Sequence, residues 1–195
     1  MKLERNNKGG YQMELIESLN LLENKKVIFW LNIISIPLIV LFFAIFTFIS
    51  LIVDAPAQET HVFNLSTTLL SLVAFFILII IHEVIHGIFF KLFNPEAKVK
   101  YGFKNGMAYA TSPNSFYTKG KFVWICLAPF IVITFILFFL LYFGIITPPS
   151  FALIASLHAA ACVGDFYWVY LIIRLEKGAY VEDTEVGISF YRKAQ

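Results

Sequence analysis

Four long apolar blocks constrain this chain more than any other feature: about residues 27–53, 66–90, 122–146 and 151–173. Each is near or above the roughly 20 residues an α-helix needs to cross a bilayer. Lipid then takes the place of the large core that a soluble domain must bury in water. The composition agrees: 59% of residues are hydrophobic and only 14% charged, where a soluble domain carries about a quarter charged. The expected fold class is an all-α integral membrane protein, one membrane-embedded domain over residues 1–195 with four transmembrane helices. Residues 1–26 are polar and charged and lack the apolar stretch of a cleavable signal peptide. Pro37 and Pro129 fall inside the first and third blocks, where neighbouring helices can satisfy the freed carbonyls.

The positive charges set an orientation. Lys2, Arg5, Lys8, Lys25 and Lys26 precede the first block; Lys91, Lys98, Lys100, Lys104, Lys119 and Lys121 lie between the second and third; Arg174, Lys177, Arg192 and Lys193 follow the fourth. These are all the Lys and Arg of the chain, and the other two connections hold none. The positive-inside rule therefore expects both termini, the segment 1–26 and the tail 174–195, on the cytoplasmic side. A soluble helical bundle would not sort its cations this way. No basic patch outside the membrane flanks is large enough for nucleic acid. Two readings of the N-terminal segment stay open: a helix lying on the membrane surface, with Glu14, Leu15, Ile16, Leu19, Leu21 and Leu22 at near-helical spacing, or a loosely ordered tail. Cys126 and Cys162 sit in apolar blocks without CxxC spacing and imply no disulfide framework.

The second block contains His82-Glu83-Val84-Ile85-His86. Residues four apart share a helix face, so the two imidazoles can bind one Zn²⁺. Glu83 lies about 100° from His82 and about 60° from His86 around the helix. It can reach a water on that metal without being a ligand. Each ionisable group in an apolar helix costs about 2.5–3.5 kcal/mol on insertion scales, so three together argue for function over chance. A helix-packing hydrogen-bond network is the plainer alternative.

Two histidines leave zinc short of a third protein ligand. Asp165 is the one acid inside the third and fourth blocks. His82 lies about 24 Å along its helix from Ser66, and Asp165 about 22 Å from Ser150, on a rise of ~1.5 Å per residue. With both helices running inward the depths match, and Asp165 is the expected third ligand. A role bonding a neighbouring helix, or steadying a ligand, is the alternative. His158, two turns outward of Asp165, is a candidate for steadying an oxyanion or binding substrate backbone. It could equally be a satisfied histidine. His61 is given no role. Tyr167, Trp168 and Tyr170 read as an interfacial aromatic belt.

Between the second and third blocks, Asn105-Gly106 is flanked by β-favouring residues and predicts a small β-hairpin in the cytoplasmic loop. A hairpin edge there could hold an extended substrate by strand addition, with Tyr101 and Phe103 as candidate contacts. A plain connection is the other reading.

HEVIH in a membrane helix, a strand-forming loop after it, Ala128-Pro129 in the next helix and Gly164-Asp165 in the last resemble the putative zincin peptidase family of small bacterial membrane proteins. That family is in turn similar to the site-2 intramembrane metalloproteases. The resemblance covers about residues 66–173. It implies His82, His86 and Asp165 as zinc ligands, Glu83 as general base, and cleavage of membrane-associated proteins or peptides within or near the bilayer. It also implies residence in the bacterial inner membrane. The chain departs from the site-2 pattern where Gly164 precedes Asp165 and Phe166 follows it, and where His158 replaces an expected Asn. The expected activity is zinc-dependent peptide hydrolysis. A non-catalytic metal-binding regulator that holds client helices, and a metal transporter, are the competing classes. Transport would need a polar path, and Ser66, Thr67, Thr68 and Ser71 are the only such cluster in the outer halves.

Overall fold

The computed structural model describes residues 4–6, 12–21, 23–53, 65–104, 107–184 and 186–194. His61 and the turn residues Asn105 and Gly106 lie outside them. Among the described residues five helices form: α1 (Lys25–Ile52), α2 (Leu65–Phe93), α3 (Lys119–Tyr142), α4 (Pro148–Ala161) and α5 (Val163–Ile173). The first three coincide with the apolar blocks to within four residues at each end. Pro37 and Pro129 sit inside unbroken α1 and α3.

The fourth block is not one straight helix. Thr147 caps α4, its side-chain oxygen accepting the Ser150 N–H, with prolines at the first helical positions. Both features suit a helix start, where backbone N–H groups lack partners. The helix then stops at Cys162, and α5 begins at Val163 after a 45° bend. Among the described residues, α1, α2 and α3 are long and apolar enough to cross a membrane, with mean hydropathy of 2.7, 2.5 and 2.8. The bent α4–α5 pair makes a fourth if it counts as one span.

The all-α expectation needs correction, because the two ends of the chain build a sheet. β1 (Glu4–Asn6), β2 (Gln12–Asn20), β5 (Tyr117–Thr118), β6 (Tyr180–Thr184) and β7 (Gly187–Lys193) form an antiparallel sheet in the order β1-β2-β7-β6-β5. The N-terminal segment is thus neither a surface helix nor a loose tail over residues 12–20. Its spacing fits a helix and a strand almost equally. The deciding partner is β7, which Met13 through Asn20 pair along their length, with a register shift between Leu15 and Glu17. That partner is remote in sequence, so no local pattern reveals it. The expected hairpin does form: β3 (Lys100–Lys104) pairs with β4 (Met107–Thr111), and Lys104 faces Met107 across a two-residue connection.

The chain divides into two compact units. One comprises Met1–Trp30, Glu83–Ala128 and Asp165–Gln195; the other comprises Leu31–His82 and Pro129–Gly164. In the first, Val181, Ile188 and Phe190 of the sheet bury against Phe90 of α2, Phe122, Ile125 and Cys126 of α3 and Ile172 of α5. The Tyr117 hydroxyl donates to the Phe90 carbonyl (3.3 Å). Lys119 at the start of α3 donates to the carbonyls of Ile173 and Leu175, both at 2.8 Å, and so caps α5. Buried Glu182 ties the turn after the hairpin to the sheet, accepting from the Asn114 N–H and the Tyr191 hydroxyl, each at 2.8 Å. The sheet thereby holds the ends of three helices in fixed register. In the second unit, Phe46 of α1 packs edge-on against Phe151 of α4, both buried.

Candidate metal centre

The first unit contributes His86, Glu83 and Asp165. His86 is buried on α2. Its Nδ1 lies 2.9 Å from the carbonyl oxygen of Ile125 on α3. A carbonyl only accepts, so Nδ1 carries the hydrogen and donates it. In the neutral ring, Nε2 then presents its lone pair. Nε2 stands 3.2 Å from Oδ1 of Asp165, in the first turn of α5. Two donors each ~2.0–2.1 Å from a tetrahedral ion stand about 3.3 Å apart, so this pair has the spacing of two ligands of one metal. Fixing a ring by a backbone carbonyl on its far nitrogen is the usual support for a metal-bound histidine. Because Ile125 already orients the ring, Asp165 is not needed for that task.

Glu83 stands one turn before His86 on the same unbroken helix. A further carboxylate comes from the sheet. Burial pushes the Asp183 carboxyl well above the usual carboxylate range; Glu83, Asp165 and Glu182 add to the rise and His86 opposes it. Asp183 was invisible as a site residue in the sequence, since it lies in the polar tail. Tyr101 in β3 lies against Gly87 of α2, close enough that a Cβ on Gly87 would run into its ring and hydroxyl. The hairpin therefore sits beside the residue following His86. Tyr101 and Phe103 are exposed (54% and 74%).

The second unit contributes His82, the first residue of the motif. Its Nδ1 is 3.2 Å from Nε2 of His158 on α4. Cys162, at the break between α4 and α5, places Sγ 3.9 Å from each of those nitrogens. The sequence offered a signal for Cys162 that CxxC spacing does not capture: it follows His158 by four residues, the same one-turn step that joins His82 to His86.

The donor set around His86 and Asp165 is of the kind a zinc ion takes, imidazole nitrogen and carboxylate oxygen, with His86 buried and its ring pre-oriented by the Ile125 carbonyl. Comparison with known proteins bears on the same segment. Neither the curated proteins nor the solved structures returned a match. Residues 75–180, just over half of the chain, match the family model described as "Putative zincin peptidase". That stretch runs from α2 through the hairpin and α3 to Asp165 and the start of β6, and zincins are metallopeptidases built on HExxH. The chain belongs to the putative zincin peptidase family.

Proposed function

We propose that the protein is an intramembrane zinc metallopeptidase that hydrolyses peptide bonds of membrane-associated proteins or peptides near the cytoplasmic side of the bilayer. The observation that carries this reading is the approach of His86 Nε2 to Asp165 Oδ1 at 3.2 Å, on a helix that also bears His82 and Glu83. In this reading His82, His86 and Asp165 hold the metal. Zinc bound there would lower the pKa of a coordinated water toward ~7 and polarise the scissile carbonyl. Glu83 accepts the proton of the attacking water and delivers it to the leaving amine. Tyr101 and Phe103, on a hairpin beside Gly87, receive the substrate as an extended strand. The substrate's own helix must open for this, because a helix hides its peptide bonds.

Membrane insertion is supported by exposed apolar faces on the helices: Trp30, Val40 and Leu51 on α1, and Leu70, Phe76 and Ile80 on α2, are all at least 60% exposed. Aqueous solvent would penalise such faces, and acyl chains would cover them. The pairing of β2 with β7 supports both termini on one side, and hence an even number of crossings, with α4–α5 as the fourth. The lysine distribution makes that side the cytoplasm. Zinc-loaded protein in vesicles, given a mixture of membrane-anchored peptides, is the test. New N-termini are expected with wild type and none with Glu83→Gln. Equal cleavage by both would refute the reading. Client retention without cleavage by either would favour a metal-binding regulator.

A further inference from the structure

We propose a second metal site in this protein, made by His82, His158 and Cys162, which takes a thiophilic divalent ion such as Zn²⁺, Cd²⁺ or Co²⁺. The three donors belong to one compact unit and come from α2, α4 and the break after α4. Their ligand atoms all lie within 4.8 Å of one another. Around a tetrahedral ion, two imidazole nitrogens at ~2.05 Å stand about 3.3 Å apart, and each stands about 3.6 Å from a thiolate sulfur at ~2.3 Å. The observed separations are 3.2 Å between the nitrogens and 3.9 Å from sulfur to each. Closure onto an ion needs movements of only a few tenths of an ångström.

The backbone favours the same arrangement. His158 and Cys162 are one turn apart, and the helix ends at Cys162, whose thiol donates to the His158 carbonyl at 3.3 Å. His158 and Cys162 are essentially solvent-free. Two imidazoles and a thiolate suit borderline and soft cations, whereas Mg²⁺ and Ca²⁺ seek oxygen. On binding, the thiol loses its proton to solvent and the sulfur–metal bond forms; no oxidant or reductant is involved.

The set shares one residue, His82, with the zinc set proposed above. An ion here engages His82 Nδ1. Soft metal in excess would therefore draw His82 away from hydrolysis, giving the protein a built-in response to metal overload.

The test is Co²⁺ titration of the metal-free, full-length protein in detergent, read by absorption. Sulfur ligation gives a charge-transfer band in the near ultraviolet, and tetrahedral Co²⁺ gives visible ligand-field bands without requiring sulfur. The charge-transfer band is expected in wild type and in Asp165→Ala. It should disappear in Cys162→Ser, which preserves side-chain size, and in His158→Ala. Ligand-field bands without a charge-transfer band in wild type would overturn the second site and leave the peptidase centre standing. A charge-transfer band unaffected by Asp165→Ala, with no ligand-field intensity lost, would support the second site and count against the peptidase centre. No cobalt signal in wild type would overturn both.

Discussion

Removing Asp165 separates two roles that differ in magnitude. A residue that only steadies a metal-bound histidine from behind costs about 10–100-fold in metal affinity when lost. That steadying role is already filled by the Ile125 carbonyl, 2.9 Å from His86 Nδ1. The Asp165 carboxylate instead meets the opposite nitrogen at 3.2 Å, where an ion between them would take both atoms. In the Cys162→Ser background, which removes the second site, Asp165→Ala should therefore weaken zinc binding by more than ~100-fold, at least about 2.8 kcal/mol. Asp165→Asn keeps the volume and removes the charge, and should fall on the same side of that limit. The assay is competition against a zinc chelator of known affinity, at fixed pH and in detergent, with thermal unfolding as a folding control. A loss below tenfold in the folded Asn variant would refute the ligand assignment and leave Asp165 as a hydrogen-bonding partner of His86.

Other outcomes follow from the same geometry. Gly87→Ala should displace Tyr101, and Tyr101→Ala should remove it, so both should lower turnover at unchanged zinc content; a double variant no worse than either single one would show the two act together. Truncating Phe90, buried against Tyr117 and Phe122, should cost about 3–5 kcal/mol of stability, read as a lowered midpoint of thermal unfolding. Asp183 has a folded-state pKa raised by burial, so the native state of the metal-free protein holds a proton that the unfolded chain releases above pH ~4. Stability should therefore fall as pH rises from there, and Asp183→Asn should flatten the slope; an unchanged slope would count against it.

The membrane-length helices were legible because apolar runs of that length need no partner to identify them. His82, Glu83 and His86 were legible because their spacing is a property of one helix. Asp165 stood out as the one acid inside the last two blocks. The sheet was not legible. Leu15 and Leu19, four apart, fit either period, and what makes their segment a strand is pairing with residues 187–193 at the other end of the chain. The break at Cys162 was hidden for a similar reason: Cys162-Val163-Gly164 contains no proline, and Thr147 and its prolines announce only where α4 begins. Asp183 entered only because β6 pairs with β5, which leads directly into α3.

The most direct test of the zinc-peptidase account is elemental analysis of purified protein after zinc reconstitution in the presence of Cys162→Ser, which silences the second site. About one zinc per chain is expected in that background. It should be retained when Glu83→Gln is added and lost when His82→Ala or His86→Ala is added. Absence of zinc from the Cys162→Ser protein, or retention without His86, would contradict the account.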